Sequence, residues 1–188
     1  TSREKYTESE HPVQQGILSV FAEMCGLAPK EVLVGRDGCS VPTYSVPLYN
    51  AAWAWAKLTD PTNLSPARVE ACQQITGAMS SQPFFVAGPG RLDTRLMESF
   101  PTKILSKAGA EAFQAIGILP NAIRPGSPVL GIALKISDGD QGKRALMAVT
   151  LEVLRQLEVL NEEDLLKMAD LGPIQTSQNQ AGIVTGKA

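Results

Sequence analysis

Three apolar segments, 103–107, 112–119 and 129–136, follow one another with only residues 108–111 and 120–128 between them. A parallel crossover needs about a dozen or more residues. These connections are too short, so the three segments are expected to form strands of an antiparallel sheet. The turn chemistry agrees: Asn121 to Pro128 carries two prolines and a glycine, and Ser137-Asp138-Gly139-Asp140 closes the last strand.

Helical patterns surround this sheet. Val13, Ile17, Val20, Phe21 and Met24 recur at helical spacing, with Pro12 suited to the first turn and Gly26 to the stop. Glu31 to Gly35 reads as a short strand, and Arg36 to Pro47 as mostly loop. Further helices are expected from Pro47 to Thr59, from Ser65-Pro66 to Ser80 and from Leu92 to Phe100. In the first of these Trp53 and Trp55, two apart, cannot share a face, so one of them meets another layer or a partner subunit. The longest helix is predicted over Gln141 to Leu157, its buried face marked by Leu146, Val149, Val153 and Leu157. Asn161 then caps a helix reaching Ala169, with acids in its first turn. From Gly172 the chain is polar and glycine-containing. The fold class is α+β, an antiparallel sheet flanked by helices.

Composition narrows function more than it defines it. The 188 residues carry a net charge of −2 without a basic stripe, so no nucleic-acid surface is expected. No apolar run approaches the ~20 residues of a membrane helix. Three cysteines without regular spacing are no disulfide framework and point to a reducing compartment, and a single histidine rules out a multi-histidine metal site.

A few residues could carry chemistry. Asp37-Gly38-Cys39 places an acid and a thiol on a glycine turn, where Gly38 can take a positive φ. That loop is either a metal-binding or reactive thiol site or an Asx-type turn with a buried small residue. Cys25 and Cys72, beside apolar neighbours in helical patterns, read as core. Lys107 ends a strand before Ala108-Gly109, where a missing side chain lets a ligand reach the backbone; the alternative is a solvated strand-end lysine. His11 reads as a helix cap, and Asp93 as an acid at a helix start. No G-x-S-x-G occurs, so no nucleophile elbow is expected.

Taken in order, several of these pieces resemble one family, the rhizobial-type L-asparaginases of the asparaginase II group. The matching residues are His11-Pro12-Val13-Gln14, Gly35 to Cys39 with Val41-Pro42, Ala87-Gly88 with Arg91 to Thr94 and Leu96-Met97, and Lys107 to Glu111. Gly131 to Lys135 with Asp138-Gly139, and Asn179, Gly182 and Thr185-Gly186, complete the set. The likeness covers nearly the whole chain.

The resemblance implies a fold similar to serine β-lactamases and serine-type glutaminases. It implies hydrolysis of L-asparagine to L-aspartate and ammonia by serine/lysine acyl transfer. Lys107 falls on the lysine of the family's K-x-G strand and takes a catalytic role. Asp37 and Gly109 fall on substrate-binding positions, and Cys39 on one of two cysteines that hold zinc with a lysine. The family's Ser-x-x-Lys, second serine and first cysteine lie in an N-terminal half, and no Ser-x-x-Lys stands here at a predicted helix start. Residues 1–188 are therefore expected to be the C-terminal part of an asparaginase-like domain, inactive without the N-terminal half and short of zinc ligands. A cytoplasmic homodimer is the expected setting. The rival reading is a non-catalytic binding or interaction protein that keeps this part of the fold.

Overall fold

The computed structural model describes residues 4–141, 145–171, 176–178 and 184–186. The central sheet is antiparallel, as expected: β3 (Ile104–Gly109), β4 (Phe113–Ile118) and β5 (Leu130–Lys135), in that spatial order. Among the described residues seven helices surround it: α1 (Pro12–Cys25), α2 (Leu48–Thr59), α3 (Pro66–Ser81), α4 (Pro83–Ala87), α5 (Leu92–Ser99), α6 (Leu146–Gln156) and α7 (Glu162–Leu166). The architecture is mixed α+β with helices on both faces of the sheet.

Residues opposite one another in antiparallel strands share a face. Ile104, Ile116, Ile118 and Ile132 lie on one face and pack with Leu92, Leu96 and Phe100 of the α5 segment and with Leu151 and Leu154 of α6. The opposite face carries Leu105, Lys107 and the cross-strand pair Gly117 and Gly131, and α2 lies against it. The two glycines allow this approach. A Cβ on Gly131 would run into the Ala52 carbonyl and sit 2.8 Å from the Ala56 nitrogen, while a Cβ on Gly117 would run into the Thr59 methyl. Trp55 reaches this face, its ring 3.5 Å from the same Gly117 position, whereas Trp53 sits over Gly26 at the end of α1 and remains 46% exposed. The two tryptophans do point different ways, and the inner layer meets Trp55.

Several local expectations change. The segment 36–47 is no plain loop: β1 (Leu33–Arg36) and β2 (Pro42–Ser45) form a hairpin around Asp37 to Val41. Its left-handed residue is Ser40, at φ 70°, and Gly38 is outside that region. A turn with Ser40 N–H donating to the Asp37 carbonyl puts the left-handed position just after the turn, which is where a hairpin of this length needs it. On α1, the Val13, Ile17 and Val20 stripe faces outward; Gln14, Ala22 and Cys25 are buried instead, and Phe21 is half-buried against Tyr44. The helix packs chiefly on α2, and the side it turns that way lies off the apolar stripe.

The α6 helix starts at Leu146 rather than Gln141, and residues 142–144 fall outside the described ones. The buried Asp140 carboxylate accepts the Ala145 and Leu146 backbone N–H groups, so it closes the helix start. Its buried face is Thr150, Leu151 and Leu154, one step round from the Val149 and Leu157 positions, both of which are exposed. Asn161 caps α7 as expected, accepting from Asp164 N–H in a capping box. The helix ends at Leu166, and Ala169–Leu171 is a 3₁₀ turn. Near the end, β6 (Thr176–Gln178) pairs antiparallel with β7 (Val184–Gly186), a hairpin that the polar tail did not suggest.

Candidate active site

A cleft of about 830 Å³ opens beside the outer edge of β3. Its walls are Lys107, Ala108 and Gly109 of β3, Glu111 of the β3–β4 turn, Arg91 and Asp93 at the start of α5, and Asp140 and Met147 around the start of α6. Two of the expected site residues, Lys107 and Gly109, therefore meet in one place. Asp37 and Cys39 are not among the residues lining this cleft; they stand on the β1–β2 hairpin turn.

The strand register explains what the cleft edge presents. Leu119 N–H donates to the Lys103 carbonyl at 2.9 Å, which makes alternate residues from Lys103 the ones bonded to β4. Ser106 and Ala108 consequently turn their backbone groups outward. Lys107 is exposed, and its ammonium donates to the Ala108 carbonyl at 2.7 Å. It is not the last strand residue: β3 continues to Gly109, where a Cβ would press on the Phe113 ring at 3.0 Å.

Asp93 is a functional candidate that its sequence position hides. It does not cap α5, whose N-cap is Arg91 with no side-chain cap bond. Instead its carboxylate, 2% exposed, turns into the sheet. Oδ1 accepts from Ser106 Oγ at 2.6 Å and from Gln114 Nε2 at 2.7 Å, and Oδ2 accepts from the outward Ala108 N–H at 2.8 Å. Gln114 Nε2 also donates to Ser106 Oγ at 2.8 Å. Sequence spacing could not reveal this set, since Ser106 and Gln114 meet Asp93 only through the cross-strand register.

On the hairpin, Asp37 Oδ1 accepts Gly38 N–H at 2.7 Å, and the Cys39 thiol lies 3.9 Å from Asp37 Oδ2. The carboxylate reaches only the next residue's N–H and the turn is closed by the main-chain Ser40 N–H to Asp37 carbonyl bond, so this is no Asx turn, and the thiol is exposed and not buried. Zinc takes four ligands as a rule. Asp37 and Cys39 offer two donors, and no group of three or more His, Cys, Asp or Glu converges among the described residues. These residues do not make a zinc site on their own.

The other expectations resolve simply. Cys25 and Cys72 are core residues, and burial pushes both thiols up, against Lys57 beside Cys25 and Arg68 beside Cys72. His11 caps α1, its Nδ1 accepting Val13 N–H at 3.2 Å. One literal Ser-x-x-Lys runs from Ser2 to Lys5, but its serine is outside the described residues and Lys5 sits in a turn at φ 57°. A hollow between α6 and α7 holds Glu152 and Arg155, which bond each other; that bond, with Gln156, holds Glu152 at about 2. No helix among the described residues is long and apolar enough to cross a membrane.

No curated protein matches the chain. A family model described as L-asparaginase II matches residues 1–188. With that match running from end to end, the chain belongs to the L-asparaginase II family.

Proposed function

We propose that the β3 cleft is part of an L-asparaginase active site, which hydrolyses L-asparagine to L-aspartate and ammonia. The observation that carries this reading is the Lys107-Ala108-Gly109 edge lining a cleft in a chain matched throughout by the L-asparaginase II family. The chemistry is acyl transfer. A serine oxygen attacks the side-chain amide carbon, giving up its proton to a lysine base. The C–N bond then breaks, and ammonia leaves with a returned proton. Water adds to the acyl ester and frees the carboxylate.

Within this scheme Lys107 supplies positive charge to the proton relay. Gly109 contributes to the substrate-binding edge at the end of β3, its missing side chain leaving room for the Phe113 ring. Asp37 acts at the substrate's polar groups from the hairpin, and Cys39 is one donor toward zinc, whose remaining ligands come from outside these residues. The serine likewise comes from outside them, from a Ser-x-x-Lys turn in an N-terminal half. A cytoplasmic homodimer is part of the same reading.

Ammonia release from L-asparagine, measured for the full-length protein and for residues 1–188 alone, tests this. Turnover by the full-length protein and none by the shorter chain is expected. A full-length protein that binds asparagine without releasing ammonia would favour a non-catalytic binding protein. Turnover by residues 1–188 alone would sink the divided-site reading.

A further inference from the structure

We propose that Asp93 is a positioning residue: through the Ala108 peptide it fixes the outer edge of β3 and so sets where Lys107 presents its ammonium. The inference rests on the asparaginase reading for its activity readout, and on geometry for the rest.

Ala108 is held at both backbone groups. Its N–H, turned outward and without a strand partner, donates to Asp93 Oδ2 at 2.8 Å, and its carbonyl accepts from Lys107 Nζ at 2.7 Å. Asp93 is in turn anchored on its other oxygen by Ser106 and Gln114, both fully buried. Two hydrogen bonds through the Ala108 backbone thus link a buried acid on α5 to the exposed lysine of the cleft. All three side-chain and backbone groups that touch Asp93 donate to it, the pattern of an acceptor-only carboxylate.

This arrangement is a poor way to stabilise a fold. Apolar side chains at positions 93, 106 and 114 together would join α5 to β3 without taking a carboxylate out of water. The network is not even complete: Gln114 Oε1 is buried with no hydrogen-bond partner among the described residues. Its orientation follows from its neighbours, because Nε2 faces two acceptors. Sites where a sequence departs from an apolar interior without a gain in stability are commonly functional. Here the departure sits directly behind the Lys107-Ala108-Gly109 edge.

Asp93→Asn in the full-length protein is the first test. It leaves the shape but puts a donor where an acceptor is needed. The expected result is a fall in kcat on the order of a hundredfold, the scale of a misplacement near 1 Å, with KM little changed. A normal kcat, or a loss confined to KM, would overturn the proposal. Should this variant fail to fold, Ser106→Ala decides, since it removes one hydroxyl only; kcat should fall by roughly tenfold in protein that remains folded at the assay temperature. A normal kcat in Ser106→Ala would equally overturn it.

A second readout needs no turnover. The rate at which an amine-specific acylating reagent labels Lys107, followed by peptide mass spectrometry, should change several-fold in Asp93→Asn while other exposed lysines keep theirs. An unchanged Lys107 rate contradicts the proposal. If the wild-type protein hydrolyses no asparagine, the functional reading fails, and the labelling result still decides the role of Asp93.

Discussion

Gly131 lies directly beneath the backbone of Ala52, so that α2 rests on the sheet with no side chain between them at that point. Its partner across the ladder, Gly117, does the same beneath Thr59. The obstacle at Gly131 is main chain and cannot rotate away.

Gly131→Ala should therefore force α2 off the sheet. A loss of about 2–4 kcal/mol is expected, the upper range for overpacking a closed contact. Chemical denaturation of the wild type and the variant measures it. A variant as stable as the wild type would mean that α2 does not sit where the glycines place it.

Thiol accessibility separates the three cysteines. Cys39 is exposed on a hairpin turn, whereas Cys25 and Cys72 are buried and their thiols are pushed up by burial. A maleimide reagent at neutral pH should label Cys39 rapidly and spare the other two until the protein unfolds. Mass spectrometry after brief labelling reads this directly, and early modification of Cys25 would contradict the packing of α1 against α2.

Asp164 carries a defined pH dependence. Burial pushes its carboxyl up, but the Lys167 ammonium at 3.0 Å, the Asn161 N–H and Lys103 together bring it below its usual value. A carboxyl lowered in the folded state adds stability that is complete above the unfolded value, about 4, and is lost as pH falls through the lower folded value. Asp164→Asn should cost about 1 kcal/mol at neutral pH, since it loses the pairing with Lys167 and Lys103 while the amide oxygen can still accept the Asn161 N–H. Melting curves taken from pH 7 downward should converge for wild type and variant in acid. A gap that stays constant with pH would show that the charge of Asp164 contributes nothing.

The parts of the fold that could be read from the sequence are those decided locally. The strands β3 to β5 are short apolar runs between turn residues, α5 keeps its expected bounds to within a residue, and α7 starts at its Asn161 cap. What escaped was decided by partners far along the chain. The β2 segment Pro42–Ser45 lacks an apolar pattern and exists because it pairs with β1. The α1 stripe is a good helical pattern, but which side is covered depends on where α2 lies. The site divides in the same way. Lys107 and Gly109 were visible as a strand-edge pattern, while Asp93 was hidden because its partners, 13 and 21 residues away, converge on it only through β-sheet register.

The most direct test of the account is Lys107→Met in the full-length protein, with ammonia release from L-asparagine as the readout. Methionine keeps the length of the side chain and removes its charge. The account predicts a loss of turnover on the order of a thousandfold, with the melting temperature unchanged because Lys107 is exposed and, among the described residues, bonds a neighbouring carbonyl. A variant that releases ammonia at a near-normal rate would take Lys107 out of the reaction and leave the β3 cleft without its catalytic role.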